Sequence, residues 1–176
     1  MNEPYYNDYL LGLQATYNFN ESSALNIQGL TWMDGLSAYG EQLKNGKTGP
    51  GGFEQFDAAK APHPKYGLFG NYQFIAYYGK ISVTKQAVLS LNLFGLAGVG
   101  YLNLGELNTI ALNFGVGQNL FITKNFGLRA DLRWVIFKGP NATTQRLTTV
   151  DKPSASSFGD RYYYNSQLGL SFIFIL

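Results

Sequence analysis

The stretch FGLRADLRWVIF, Phe126 to Phe137, carries Arg129, Asp131 and Arg133 at every second position of an otherwise apolar run. A period of two is typical of a β-strand, because successive side chains of a strand point to opposite faces. The three charges therefore share one face of this strand, and the apolar side chains share the other.

The same alternation extends along most of the 176 residues, and by its length the chain is a single domain, residues 1–176. The pattern predicts seven strands, at about 8–19, 23–33, 66–83, 87–103, 108–122, 126–138 and 161–175. Most of them reach the roughly 9–11 residues that a tilted strand needs to cross a bilayer. In the third strand the alternation drifts, which predicts a β-bulge near Tyr77, Tyr78 and Gly79.

The composition indicates which face of the strands points outward. Charged residues are 14% of the chain, against roughly 25% in soluble domains. A solvated outer surface would carry Lys, Arg, Glu and Asp at the polar positions. Those positions instead hold Gln14, Thr16, Asn18, Asn26, Gln28, Asn71, Gln73, Ser90, Asn92, Asn113, Asn165, Gln167 and Ser171. We therefore predict a transmembrane antiparallel up-and-down β-barrel, apolar outside, rather than a lipocalin-like soluble barrel, apolar inside.

In this reading Arg129, Asp131 and Arg133 point into the barrel, where opposite charges can pair. Turned toward lipid, each arginine would cost about 2–4 kcal/mol near the bilayer midplane. A barrel of eight strands has just enough room for side chains to fill it, so we predict a structural charge network. The same network could line a conduction path or bind an anionic ligand.

The connections between the predicted strands alternate in length, apart from the one at 104–107. The short ones are 20–22, 84–86 and 123–125, and the long ones are 34–65 and 139–160. Short periplasmic turns and long outer loops are typical of outer-membrane barrels. We expect the long loops, which are rich in Gly, Pro, Ser, Lys and Asp, to bind a partner or surface ligand.

Aromatic residues are frequent near the predicted strand ends. Outer-membrane barrels carry girdles of aromatic side chains at both membrane interfaces, so these positions need no ligand to explain them. The predicted girdle includes Tyr9, Tyr17, Phe19, Tyr101, Tyr162 and Tyr164.

Three stretches of the chain carry a family resemblance: YGLFGNYQFIAYYGKIS, LSLNLFGLAGVGYL and LNFGVGQNLFITKNFGLRADLR. Together they resemble a family of small bacterial outer-membrane β-barrel proteins of deltaproteobacterial type. The most specific pieces are Tyr78 to Lys80, the glycines Gly95, Gly98 and Gly100, and the strand with Arg129, Asp131 and Arg133. The last strand also resembles the C-terminal targeting strand of outer-membrane proteins. The resemblance covers nearly the whole chain and implies an outer-membrane barrel, in some members part of an envelope assembly linked to motility. It implies no reaction.

Bacterial single-chain barrels usually have an even number of strands and start inside the cell. Seven strands, with the C-terminus in the periplasm, would make the first strand start outside. We therefore expect an eighth strand to precede Met1 in the complete protein.

Other chemistry has little support in the sequence. The net charge of +2, without a basic run, does not indicate nucleic acid. There is no cysteine, and the only histidine, His63, lies between two prolines in a long loop, a poor place for a catalytic base. We expect no catalytic residue, cofactor or metal site.

The sequence thus predicts an integral protein of the bacterial outer membrane with a structural or protein-interaction role in the envelope. Its expected partners are outer-membrane lipids and lipopolysaccharide, the barrel-assembly machinery during insertion, and an envelope protein. Two alternatives stay open, a narrow pore for small solutes or ions and a lipid-modifying enzyme that would depend on His63.

Overall fold

The computed structural model describes residues 6–38, 41, 63–82, 88–105, 107–140 and 160–175. Its strands form one antiparallel sheet in the order of the sequence. They are β1 (Tyr6–Asn18), β2 (Ser23–Leu36), β3 (Tyr66–Ser82), β4 (Val88–Asn103), β5 (Asn108–Phe121), β6 (Phe126–Pro140) and β7 (Asp160–Phe174). The predicted all-β up-and-down fold is confirmed, and the ends of the seven strands differ from the predicted ones by three residues at most.

The sheet curls until its first and last strands approach each other. Gln14 on β1 donates a hydrogen bond from Nε2 to Ser171 Oγ on β7, at 3.1 Å. Within the described strands no backbone ladder joins β1 to β7, so the barrel is open along this line, which we call the seam. The concave side of the sheet is its interior, and the convex side is its outer surface.

The connections lie at two ends of the sheet. The turn end holds 19–22, 83–87 and 122–125, and the long-loop end holds 37–65, 104–107 and 141–159. Side chains cap two of the turns: Asn20 Oδ1 accepts from the Ser22 backbone N–H, and Thr123 Oγ1 from the Phe126 N–H, both at 3.0 Å. Most residues of the two predicted outer loops, 34–65 and 139–160, lie outside the described residues.

The predicted bulge is present, slightly earlier in the chain than expected. The register between β3 and β4 shifts between Ile75 and Tyr77, so Ala76 is the extra residue. On the partner strand Leu91 and Asn92 are consecutive and both buried. Leu91 keeps the outward parity of β4 and is covered from the bulged strand, where Tyr77 and Gly79 lie beside it.

Polarity is inverted relative to that of a water-soluble protein. The interior buries polar side chains from most strands, among them Asn26, Asn71, Gln73, Asn92, Asn113, Asn119, Arg129, Asp131, Arg133, Asn165 and Gln167. The outer surface exposes large apolar side chains on every strand, for example Leu13, Ile27, Leu68, Val99, Ile110, Leu132 and Leu170. Among the described residues, no helix is long and apolar enough to span a bilayer.

Candidate functional site in the polar interior

The charges of β6 lie together in the interior. Arg129, Asp131 and Arg133 are each at least 94% buried, because the alternation of β6 turns them all inward. The Arg133 Nε–H donates to Asp131 Oδ2, and Arg129 Nε lies 3.4 Å from Asp131 Oδ1. One carboxylate therefore serves two guanidinium groups, and the cluster carries a net charge of +1.

The two arginines connect β6 to the opposite wall. Arg133 donates from Nη1 to Gln28 Oε1 on β2 and from Nη2 to Gln14 Oε1 on β1, the latter at 3.2 Å. Arg129 donates from Nη1 to Gln73 Oε1 on β3, at 3.0 Å. The planar guanidinium suits this task because it presents several donors in fixed directions. These bonds span the interior and hold the curled sheet together.

Arg129 also stacks on an aromatic ring. Its Cζ lies 4.0 Å from the centre of the Phe94 ring, within the range of a cation–π interaction. Phe94 belongs to a buried apolar cluster with Ile75 and Leu96. Phe94 and Leu96 are apolar residues on the otherwise polar face of β4. The structure explains Phe94, because the Arg129 guanidinium stacks on its ring.

A ladder of amides, ending at a hydroxyl, joins side chains of four strands and passes over a fifth. Asn113 donates to Asn71 at 3.0 Å, Asn71 to Asn26 at 3.3 Å, and Asn26 to Thr16 at 2.8 Å. The first bond passes over β4 at Gly98, which pairs with Asn71 on one side and with Asn113 on the other. A Cβ at Gly98 would lie 2.1 Å from the Gly70 carbonyl oxygen and 2.5 Å from Asn71 Oδ1. Glycine is required there because the amides occupy the space of a side chain.

Toward the long-loop end the interior becomes apolar. The buried residues there are Trp32, Phe69, Leu102, Leu104, Ala111, Val135 and Phe137. Gly100 provides the room for the fully buried Phe69 ring, since a Cβ at Gly100 would lie 2.1 Å from it. This layer caps the polar network on the side of the long loops.

A cavity of about 140 Å³ lies along the seam. It is lined by both edge strands and by the charged cluster, and the polar side chains that face it are Gln14, Gln28, Asp131, Arg133, Gln167 and Ser171. Gln167 is 92% buried, and its Nε2 has no hydrogen-bond partner among the described residues.

The six residues of the predicted girdle all lie exposed on the outer surface. Tyr9, Tyr101, Tyr162 and Tyr164 lie in the parts of β1, β4 and β7 nearest the long-loop end. Tyr17 and Phe19 lie at the turn end, with their rings in edge-on contact. The aromatic side chains thus flank a middle zone of aliphatic ones such as Leu11, Leu13, Leu112, Leu168 and Leu170.

The residue considered for catalysis lies at the long-loop end. His63 is buried immediately before β3, at the long-loop end. Among the described residues no group of three or more His, Asp or Glu side chains is arranged to hold a metal ion.

The sequence predicted the charged triplet and the interior position of the glutamines, but not which glutamine each arginine contacts. Gln14, Gln28 and Gln73 lie between 56 and 119 residues away from their arginines. Their only signal in the sequence is an amide at an inward position of a strand.

No family model, curated protein or solved structure matches this chain.

Proposed function

We propose that this chain is an integral β-barrel of the bacterial outer membrane with a structural or protein-interaction role in the envelope. The observation that carries the proposal is the inverted polarity. Arg129, Asp131 and Arg133 are buried inside, whereas leucines such as Leu13 and Leu170 are more than four-fifths exposed outside.

Lipid is the solvent that suits this surface. The largest contiguous apolar patch on a soluble monomer is typically about 300–600 Å². Here large apolar side chains are exposed on all seven strands, with aromatic residues toward both ends. In a bilayer the aliphatic zone would meet the acyl chains and the aromatic residues would meet the interfaces. The proposed lipid partners are therefore outer-membrane phospholipid and lipopolysaccharide, and insertion would use the barrel-assembly machinery.

The packing of the interior favours a structural role over a pore. Arg129 and Arg133 reach across to glutamines of the opposite wall, and the layer around Phe69 fills the interior toward the long-loop end. A conducting pore needs a continuous aqueous path. In planar bilayers we expect no discrete conductance steps, with or without neutralisation of Arg133. Steps that change with Arg133→Gln would instead establish the pore.

Interaction with an envelope protein is assigned to the long-loop end. The segments 37–65 and 141–159 leave the sheet there, and in the proposed orientation they face the outside of the cell. The interior network supplies no arrangement of nucleophile and base, so no reaction is assigned to the chain.

The experiment that tests membrane residence compares the purified chain, folded in detergent micelles, on gels with and without boiling. Folded membrane barrels resist the gel detergent until they are heated, so we expect the unboiled chain to migrate at a different position from the boiled chain. Withdrawal of detergent should precipitate the chain unless lipid vesicles are present. A monomer that stays dissolved without detergent or lipid would refute the proposal, because exposed leucines on every strand would then be facing water.

A further inference from the structure

The direction of the edge strands rules out closure of the barrel by an antiparallel β1–β7 pair. Every neighbouring pair in the sheet is antiparallel, so the odd-numbered strands β1 and β7 run in the same direction. Both run from the long-loop end to the turn end. The backbone N–H and C=O groups of β1 and β7 that face the seam have no ladder partner among the described strands. An unpaired edge is a template for another strand. One added strand can be antiparallel to both edges.

The hydrogen bond across the seam limits its width. With bonds of about 1.5 Å, an extended Gln side chain reaches about 5 Å from its Cα and a Ser side chain about 2.4 Å. Adding the 3.1 Å bond between Gln14 and Ser171 gives a Cα separation of about 10.5 Å at most. Two strands that flank a third are about 9.6 Å apart, and two strands that flank a pair are about 14 Å apart. The seam therefore has room for one strand at most, and the lack of a β1–β7 ladder among the described strands leaves that place open.

The occupant does not come from residues 1–176. The segments 37–65 and 141–159 leave and return at the same end of the sheet, so neither can supply a single strand that runs from one end of the seam to the other. The segments 1–5 and 83–87 are too short to match the 13 residues of β1. A second copy in the same orientation would bring its β7 beside β1, again in parallel.

The surroundings of the seam define the chemistry of the occupant. Leu11 and Leu13 on one edge and Leu168 and Leu170 on the other are among the most exposed apolar side chains, so the outward residues of the added strand should be apolar. Its inward residues must be small or polar, because the cavity behind the seam is lined by polar side chains.

A carboxylate fits one inward position of the added strand. The buried cluster of two arginines and one aspartate carries an excess positive charge, and Arg133 faces the cavity. Gln14, whose Oε1 accepts from Arg133 Nη2, marks the level of this guanidinium on the edge strand β1. A carboxylate of the added strand at that level would accept from Arg133.

We propose that the seam is the acceptor site for one extended strand that lies outside residues 1–176. The strand runs antiparallel to β1 and β7, alternates apolar with small or polar side chains, and places a carboxylate beside Arg133. Main-chain bonds to the two edges give the affinity, and the inward carboxylate gives the specificity. This inference depends on the fold and the charge, and not on the proposed membrane location.

The probe is a fluorescent synthetic peptide based on Ser23–Met33, SALNIQGLTWM, with Gln28→Glu at its centre. It copies β2, which runs in the required direction and has small or polar inward residues from Ala24 to Gln28. Beyond the glutamate, the inward Leu30 and Trp32 would extend toward the apolar layer of the long-loop end. One control peptide keeps Gln28, and another holds the same residues with the apolar ones grouped at one end. In this binding assay all changes are in the peptide, so the folding of the chain is not at risk.

The chain contains no cysteine, which allows the site to be located by disulfide trapping. With the introduced glutamate of the peptide at the level of Gln14 and Ser171, the next peptide residue lies opposite both Leu13 and Leu170. A peptide that also carries Gly29→Cys is therefore mixed with full-chain variants Leu13→Cys, Leu170→Cys or, as the control on a central strand, Leu112→Cys. Leu112 is also exposed, but its strand, β5, is already paired with β4 on one side and β6 on the other.

We expect saturable binding of the glutamate peptide by fluorescence anisotropy in micelles, and disulfides at Leu13→Cys and Leu170→Cys but not at Leu112→Cys. The Gln28 peptide should bind about tenfold more weakly, because a hydrogen bond to a charged group is the stronger one. The grouped peptide should not bind. Absence of saturable binding by the glutamate peptide, or equal trapping at Leu112→Cys, would overturn the proposal.

Discussion

Replacement of Asp131 by asparagine should strongly destabilise the fold. Asp131 accepts from Arg133 and lies 3.4 Å from Arg129 Nε, and all three groups are buried. Two unit charges about 3.4 Å apart attract by about 5 kcal/mol at an effective dielectric constant of about 20. Desolvation offsets much of this attraction, and removal of one member of a buried ion pair typically costs about 3–5 kcal/mol. We expect a loss of that size for Asp131→Asn, because two buried guanidinium groups would keep no counter-charge.

The assay is urea unfolding in detergent micelles, followed by the fluorescence of Trp32 and Trp134. The matched control is Asp160→Asn, which removes the ion pair between Asp160 and Lys138 at the long-loop end. These two side chains are 65% and 51% exposed, so we expect no measurable change.

A second variant separates charge from packing. Arg129→Gln added to Asp131→Asn removes one of the two unpaired charges, so the double variant should be more stable than Asp131→Asn alone. The reasoning is refuted if Asp131→Asn unfolds at the same urea concentration as Asp160→Asn, or if Arg129→Gln makes the Asp131→Asn chain still less stable.

Two further predictions concern the glycine under the amide ladder and the outer surface. Gly98→Ala should lower the free energy of unfolding by about 1–3 kcal/mol through overpacking, whereas Gly70→Ala should leave the urea midpoint unchanged, because no atom lies within 4 Å of the added Cβ. Equal midpoints for the two variants would show that the ladder does not need the space. Leu112→Arg should destabilise the chain in vesicles by about 2–4 kcal/mol, and Leu107→Arg, in the short connection at the long-loop end, by about 0–1 kcal/mol. A Leu112→Arg chain as stable as the parent would contradict a lipid-facing β5.

The alternation of residues was enough to predict the strands, their faces and the inward charges of β6. It works because a strand with one polar and one apolar environment must keep a period of two, and a slip of one residue would turn Arg129 outward. The position of the bulge was predicted less well. An extra residue is visible in a sequence only as a drift in parity, which does not distinguish Ala76 from its neighbours.

The interior contacts could not be predicted, because they depend on how far the sheet curls. Arg133 meets Gln14 across 119 positions of sequence, and only the curvature of the sheet brings β6 and β1 within reach of each other. The apolar layer around Phe69 is hidden for a similar reason. Phe69 stands at an inward position of β3, where a sequence reading expects a polar or small residue, and its space is provided by Gly100 on the neighbouring strand.

The bonds of the amide ladder all point the same way around the barrel. Asn113 donates to Asn71, Asn71 to Asn26, and Asn26 to the hydroxyl of Thr16. Dipoles in such a chain add, and each bond polarises the next. The series ends on the edge strand β1 at the Thr16 hydroxyl, which accepts one hydrogen bond and can donate another. The ladder is therefore directional, and a side chain on β5 influences how strongly a group on the open edge can donate.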